Sequence, residues 1–190
     1  TLQNHLTFQS GLEVLTDLGP LSSLASLRSL TLSRCQVLTD LSPLSQLQSL
    51  QILQLNRCPQ LVDLSPLSSL ESLESLTCSG DNHQTKIPLT DLSFVRGMNL
   101  KTLSLRWCGA LSDLRPLAAL SLLTELDLSA SRSVVLDGIE ELSGLRELNL
   151  QFCNLETVRE LRGLKALESL TLTSCMKLRH LEGLEDLPAL

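Results

Sequence analysis

Aromatic residues are nearly missing from this chain: its 190 residues hold one Trp, three Phe and no Tyr. An irregular globular core mixes side-chain shapes to reach close packing, so a chain this poor in rings fills its interior another way. Long apolar runs are missing too. The longest, Leu117 to Leu123, is seven residues and contains Ser121, whereas a membrane-spanning helix needs about twenty; no membrane segment is expected. Cys-x-x-Cys pairs, histidines at ligand spacing, phosphate-binding loops and nucleophile elbows are absent, which removes the sequence signatures of metal and nucleophile chemistry. No catalytic residue, metal site or cofactor is expected. Basic charge is also short, with 15 Lys and Arg against 21 Asp and Glu and a net charge of −6. That balance argues against nucleic acid as the primary ligand. The acidic excess sits in the C-terminal third: residues 1–120 carry 8 basic and 9 acidic side chains, residues 121–190 carry 7 and 12.

What is abundant is leucine, with 52 residues, followed by 25 serines. One residue type at that density points to one local environment built many times, and so to repeats. The pattern Leu-x-x-Leu-x-Leu-x-x-Cys aligns Leu27-Leu30-Leu32-Cys35 with Leu50-Leu53-Leu55-Cys58, Leu100-Leu103-Leu105-Cys108, Leu145-Leu148-Leu150-Cys153 and Leu167-Leu170-Leu172-Cys175. Leu73-Leu76-Cys78-Asp81 and Leu123-Leu126-Leu128-Ser131 are variants, and Leu6-x-Phe8-x-x-Gly11 is a degenerate first copy. The second leucine falls at 6, 30, 53, 76, 103, 126, 148 and 170, in steps of 24, 23, 23, 27, 23, 22 and 22 residues.

Leu-x-Leu has period two, so both leucines face one side of a short strand. Such a strand cannot bury its apolar face alone. Eight copies stacked as a parallel sheet bury a continuous leucine core. The other half of the unit reads Asp40-Leu41-Ser42-Pro43-Leu44-x-x-Leu47, with kin at Asp63–Leu70 and Asp113–Leu120. Ser before Pro is read as a helix start, Ser capping free amides and Pro taking the first helical position. One short α or 3-10 turn per repeat is expected on the convex side. From Ser131 on the proline disappears and the units shorten to 22 residues.

The unit resembles the leucine-rich-repeat superfamily over the whole chain. Its length and the Leu38–Leu44 stretch LTDLSPL look like the short class found in internalins and phosphatase regulatory subunits. Cysteine at Cys35 or Cys58, where that class has Asn, is similar to cysteine-bearing repeats of protist, including trypanosome, proteins; F-box proteins are similar too, with longer repeats. The resemblance implies an α/β solenoid: an arc with a parallel sheet on the concave face, short turns on the convex face, and ligand, usually protein, bound on the sheet. One domain of about eight repeats is expected over residues 1–190. The first unit is degenerate and Leu190 lies where another strand would begin, so the chain is read as part of a longer one.

Repeated polar positions have bland readings beside the chemical ones. Five cysteines share one repeat position and Cys78 replaces a strand leucine. Disulfides or metal are the chemical alternative; a ladder of small buried side chains with weakly donating thiols is favoured, which implies reduced cysteines and a cytoplasmic or nuclear protein. The column Asp17, Asp40, Asp63, Asp91, Asp113 is read as carboxylates bonding backbone amides in their own turns, because a catalytic pair would appear once. His5, His83 and His180 are scattered and read as exposed. About four extra residues fall in one unit, and the polar, turn-rich stretch of about 80–90 is expected to protrude as a loop.

The strand register leaves a mostly small and neutral outward face, from which Arg34, Gln54, Asn56, Arg57, Arg106, Trp107, Gln151 and Phe152 are singled out as partner-binding. Arg34, Arg57, Trp107 and Phe152 share one repeat position and are expected as a stripe along one sheet edge, and Trp and Arg are the side chains that interfaces favour. Glu125, Asp127 and Glu147 make an acidic neighbour. The same exit position can equally fold its side chains over the core edge. The favoured function is a non-catalytic protein-interaction scaffold. The alternatives are the recognition part of a larger enzyme of F-box or ubiquitin-ligase type, a surface adhesin of internalin type, and an RNA-associated subunit. Unpaired cysteines count against the adhesin.

Overall fold

The computed structural model describes residues 4–9, 14–81 and 86–190. Eight strands form one parallel sheet in sequence order: β1 (His5–Phe8), β2 (Ser29–Ser33), β3 (Ile52–Asn56), β4 (Ser75–Ser79), β5 (Thr102–Ser104), β6 (Glu125–Asp127), β7 (Glu147–Asn149) and β8 (Ser169–Thr171). The second leucines of the sequence pattern, from Leu6 to Leu170, stand abreast across the whole sheet. Leu30, Leu53, Leu76 and Leu103 are fully buried. Each such side chain contributes on the order of 2 kcal/mol by leaving water.

Among the described residues seven 3-10 helices return the chain: η1 (Gly19–Ser23), η2 (Ser42–Gln46), η3 (Ser65–Ser69), η4 (Ser93–Val95), η5 (Arg115–Ala119), η6 (Ile139–Glu141) and η7 (Arg159–Gly163). The sequence left α or 3-10 open, and leucine spacing explains the outcome. Leu38, Leu41, Leu44, Leu47 and Leu50 recur every third residue and are at most 1% exposed. A 3-10 helix has three residues per turn, so residues three apart eclipse and all face inward; an α-helix would rotate them off the core. The Leu44 and Leu67 amides donate to the Leu41 and Leu64 carbonyls at 2.9 and 3.0 Å.

The expected serine cap is corrected. Ser42 and Ser65 make no side-chain cap and are the first residues of η2 and η3. The Asp two places earlier does the capping: the amides of Gly19, Ser42, Ser65, Ser93 and Arg115 donate to Oδ1 of Asp17, Asp40, Asp63, Asp91 and Asp113 at 2.7 to 3.0 Å. The amides that a Ser42 or Ser65 cap would serve, those of Leu44 and Leu67, are already taken by the Leu41 and Leu64 carbonyls.

The stretch of about 80–90 expected to protrude is described only at 80–81 and 86–90. Residues 82–85 lie outside the described ones, but Ile87 and Leu89 are buried in the core at 0 and 1% exposure. Asp81 stands where other repeats have cysteine and is exposed, so Ile87 re-enters the interior beyond it.

Candidate binding face

The residue after each strand sets what the concave rim presents. Arg34, Arg57, Trp107, Ala130, Phe152 and Ser174 all have left-handed backbone, with φ between 57° and 63°. For a residue with a Cβ this costs roughly 1 kcal/mol. Their amides still extend the ladder: Arg34 donates to the Asn56 carbonyl at 2.8 Å, Arg57 to Ser79 at 2.7 Å, Trp107 to Ser129 and Phe152 to Thr173 at 3.0 Å. The reversal then turns the next residue, usually cysteine, into the core. Arg34, Arg57, Trp107 and Phe152 lie past the strand ends along one edge of the sheet, with Gly80 and Ala130 at the same repeat position. Phe152 is 46% exposed, while Trp107 is half-buried.

Two grooves cross the outward face. The first, of about 390 Å³, is lined by Gln9, Thr31, Ser33, Arg34, Gln54, Asn56, Arg57, Ser79, Gly80 and Asp81. It brings together Arg34, Gln54, Asn56 and Arg57, four of the eight residues singled out in the sequence. The second, of about 290 Å³, is lined by outward residues of β5 to β7, including Glu125, Asp127, Glu147 and Asn149. Arg106, Trp107, Gln151 and Phe152 line neither groove.

Cross-strand polar contacts tie the face together. Thr31 Oγ1 donates to Gln54 Oε1 at 3.2 Å, and Ser79 Oγ donates to Asn56 Oδ1 at 2.8 Å. Arg57 pairs with Asp81 at 2.6 Å and Arg106 approaches Asp127 at 3.7 Å. Two of the three arginines singled out in the sequence are therefore matched by carboxylates. Asp127 and Asn149 also accept, through Oδ1, the amides of Ser129 and Gln151 at 2.9 and 3.0 Å.

No protein-family model and no curated protein matches the sequence. Solved structures do. Internalin C2 from Listeria monocytogenes superposes with a TM-score of 0.75 at 24% identity, over 96% of this chain and 77% of that one. TLR13, solved in complex with ssRNA13, gives a TM-score of 0.69 at 30% identity over 89% of this chain and 25% of its own. The leucine-rich-repeat domain of the type III effector XopL gives 0.62 at 24% identity, over 80% of this chain and 54% of that one. The chain is a leucine-rich-repeat solenoid. It spans most of internalin C2 but only a quarter of TLR13 and about half of XopL.

Within this leucine-rich repeat the cysteine column is a hydrogen-bonded ladder. The thiols of Cys58, Cys108, Cys153 and Cys175 point at the carbonyls of Leu32, Cys78, Leu128 and Leu150 in the preceding repeat, at 3.9, 3.5, 3.3 and 3.1 Å. Burial pushes Cys78 and Cys153 up to about 12, and raises Cys108 and Cys175 as well. The neighbouring Cys58 thiol lowers Cys35, while Cys35 and burial raise Cys58. Ser131 holds the column's place in the sixth repeat, donating to the Leu105 carbonyl at 2.9 Å. The capping aspartates sit low for the same kind of reason. Hydrogen bonds from Ser42, Ser65 and Ser93 lower Asp40, Asp63 and Asp91, and the Arg115 guanidinium holds Asp113 at about 2. His5 and His180 are exposed; His83 lies outside the described residues. Among the described residues no group of three or more His, Cys, Asp or Glu is placed to hold a metal ion, and no helix is long and apolar enough to cross a membrane.

Proposed function

We propose that this leucine-rich repeat is a non-catalytic interaction scaffold that binds a protein partner on its concave sheet, through Arg34, Gln54, Asn56, Arg57, Arg106, Trp107, Gln151 and Phe152. One observation carries the reading. The outward positions of all eight strands are left out of the core and form a face that is polar except at Ile52, edged by the large side chains of Arg34, Arg57, Trp107 and Phe152. Large Arg and aromatic side chains at the border of a polar sheet are what protein interfaces use as anchors.

Charge favours protein over nucleic acid. Arg34, Arg57 and Arg106 on the face meet Asp81, Glu125, Asp127 and Glu147, three basic groups against four acidic. That TLR13 was solved with ssRNA13 is a property of that protein, and a polyanion on this face would meet net repulsion. A mixed face of this kind orients a protein partner and rejects wrong ones. Thiols used as buried donors support a reducing compartment, cytoplasmic or nuclear.

The test is affinity purification with mass spectrometry, using the chain and a double variant, Trp107→Ala with Arg106→Glu. The variant is expected to keep its circular dichroism spectrum and lose the partner. A variant that keeps both its fold and its partners would sink the reading.

A further inference from the structure

We propose that the groove across β2, β3 and β4 holds a carboxylate side chain from an extended acidic segment of the partner protein, with Arg34, Gln54 and Asn56 as its donors. The proposal deepens the scaffold reading and rests on it.

The two β3 amides of the groove have engaged carbonyls and N–H donors without a partner among the described residues. A primary amide offers one carbonyl and two N–H donors. Thr31 takes the Gln54 carbonyl and Ser79 takes the Asn56 carbonyl. The amide nitrogens of Gln54 and Asn56 have no acceptor among the described residues. Neither does the Arg34 guanidinium, which is exposed and makes no ion pair among them. Arg57, by contrast, is held by Asp81 at 2.6 Å. A half-buried wall of unmatched donors selects a ligand made of acceptors.

Charge narrows the class. Arg34, Arg57 and Asp81 leave the groove one positive charge, in a chain whose net charge is −6. One carboxylate matches that surplus, and Arg with two amides is a donor set suited to it. A phosphomonoester carries about −1.5 to −2 and would face Asp81 at the rim. A polynucleotide lying along the sheet would reach Glu125, Asp127 and Glu147, which begin three strands away, about 14 Å. A volume of about 390 Å³ takes a side chain and its flanking backbone rather than a folded body.

A random dodecapeptide phage library panned on the immobilised chain provides the test. Selected peptides are expected to be enriched in Asp and Glu. A fluorescein-labelled selected peptide should bind the chain in anisotropy titrations. Exchanging its acidic residue for the amide, or making Arg34→Gln in the chain, should weaken binding about tenfold. Gln54→Glu, which turns a donor into a like charge, should abolish it, with both variants keeping the melting curve of the parent. The carboxylate site is overturned by no enrichment, by selected peptides without acidic bias, by equal binding of the amide peptide, or by tighter binding of a phosphoserine peptide or decauridylate. Selected neutral peptides that still lose binding to Trp107→Ala would remove the carboxylate site and leave the scaffold reading standing.

Discussion

Cys108 shows why a thiol suits the place where the chain turns off the sheet. It is fully buried, reaches the Cys78 carbonyl at 3.5 Å, and its amide donates to Ser131 Oγ at 3.2 Å. The slot wants a compact side chain with one weak donor, and Ser131 meets the same need one repeat later. Cys108→Ser is therefore expected to change urea-unfolding stability by no more than about 1 kcal/mol, since the hydroxyl keeps the donor, whereas Cys108→Leu should cost about 1–3 kcal/mol by overpacking. Equal losses for the two would show that volume is not what limits the slot. The columns that face inward were legible in the sequence because each repeat gives them the same surroundings: Leu30, Leu53 and Cys58 announce themselves by recurrence. The rim was legible only in part. Nothing in Arg34, Trp107 or Phe152 marks left-handed backbone, since Gly and Asn, the usual signals, do not stand there. The pairing of Arg57 with Asp81 depends on the repeat that carries the insertion and on cross-strand distance, which spacing along the chain does not encode.

Each 3-10 helix is set by a different neighbour in the two halves of the solenoid. In η5 the Asp113 carboxylate caps the Arg115 amide and forks onto its guanidinium at 2.8 Å through both oxygens. Its folded pKa, about 2, lies below its ordinary 3.8. A depressed carboxylate stabilises the fold fully above its unfolded value, and the contribution is lost as pH falls from 3.8 through about 2. Asp113→Asn keeps an acceptor for the amide but loses the charge. The melting temperature of the parent should thus exceed that of the variant at neutral pH, and the gap should close between those two pH values. A gap independent of pH would leave the charge without a role. In η7 the proline is gone and Thr157 Oγ1 takes the aspartate's place, accepting the Arg159 amide at 3.4 Å; here a Cβ on Gly163 would collide with the Glu140 carbonyl and side chain, which belong to η6. The 22-residue repeats bring their turns this close. Gly163→Ala should cost about 1–3 kcal/mol through that collision, read by thermal or urea unfolding, and a neutral result would show that η7 can draw back from η6 freely. The aspartate turns could be read from sequence because Asp recurs two residues before η1 to η5. The glycine approach could not, because it depends on how near two turns stack.

At the scale of the whole molecule, every strand pairs only with its neighbours in sequence, so stability is a sum of repeats and the interfaces between them. The two halves are not equivalent. Strands β2 to β4 have five residues each and β5 to β8 three, so the later interfaces hold fewer ladder bonds. Leu53 and Leu76 are fully buried, while Leu170, Leu172 and Cys175 are only partly so. An inner repeat must lose two interfaces to open and an outer one loses a single interface. Native-state hydrogen exchange should therefore be slowest in β3 and β4 and grow faster towards β8, because the last repeats can open while the rest stays folded. Two core deletions separate this from all-or-none unfolding. Leu76→Ala and Leu148→Ala each remove a buried leucine, 0% and 2% exposed, at a cost of about 2–5 kcal/mol. Leu76→Ala strikes the most tightly laddered part and should speed exchange throughout the chain. Leu148→Ala should speed exchange in β7 and β8 and leave β3 close to its parent rate. If Leu148→Ala accelerates β3 and β8 alike, the solenoid unfolds as one unit, and its interfaces are coupled more strongly than nearest-neighbour stacking provides.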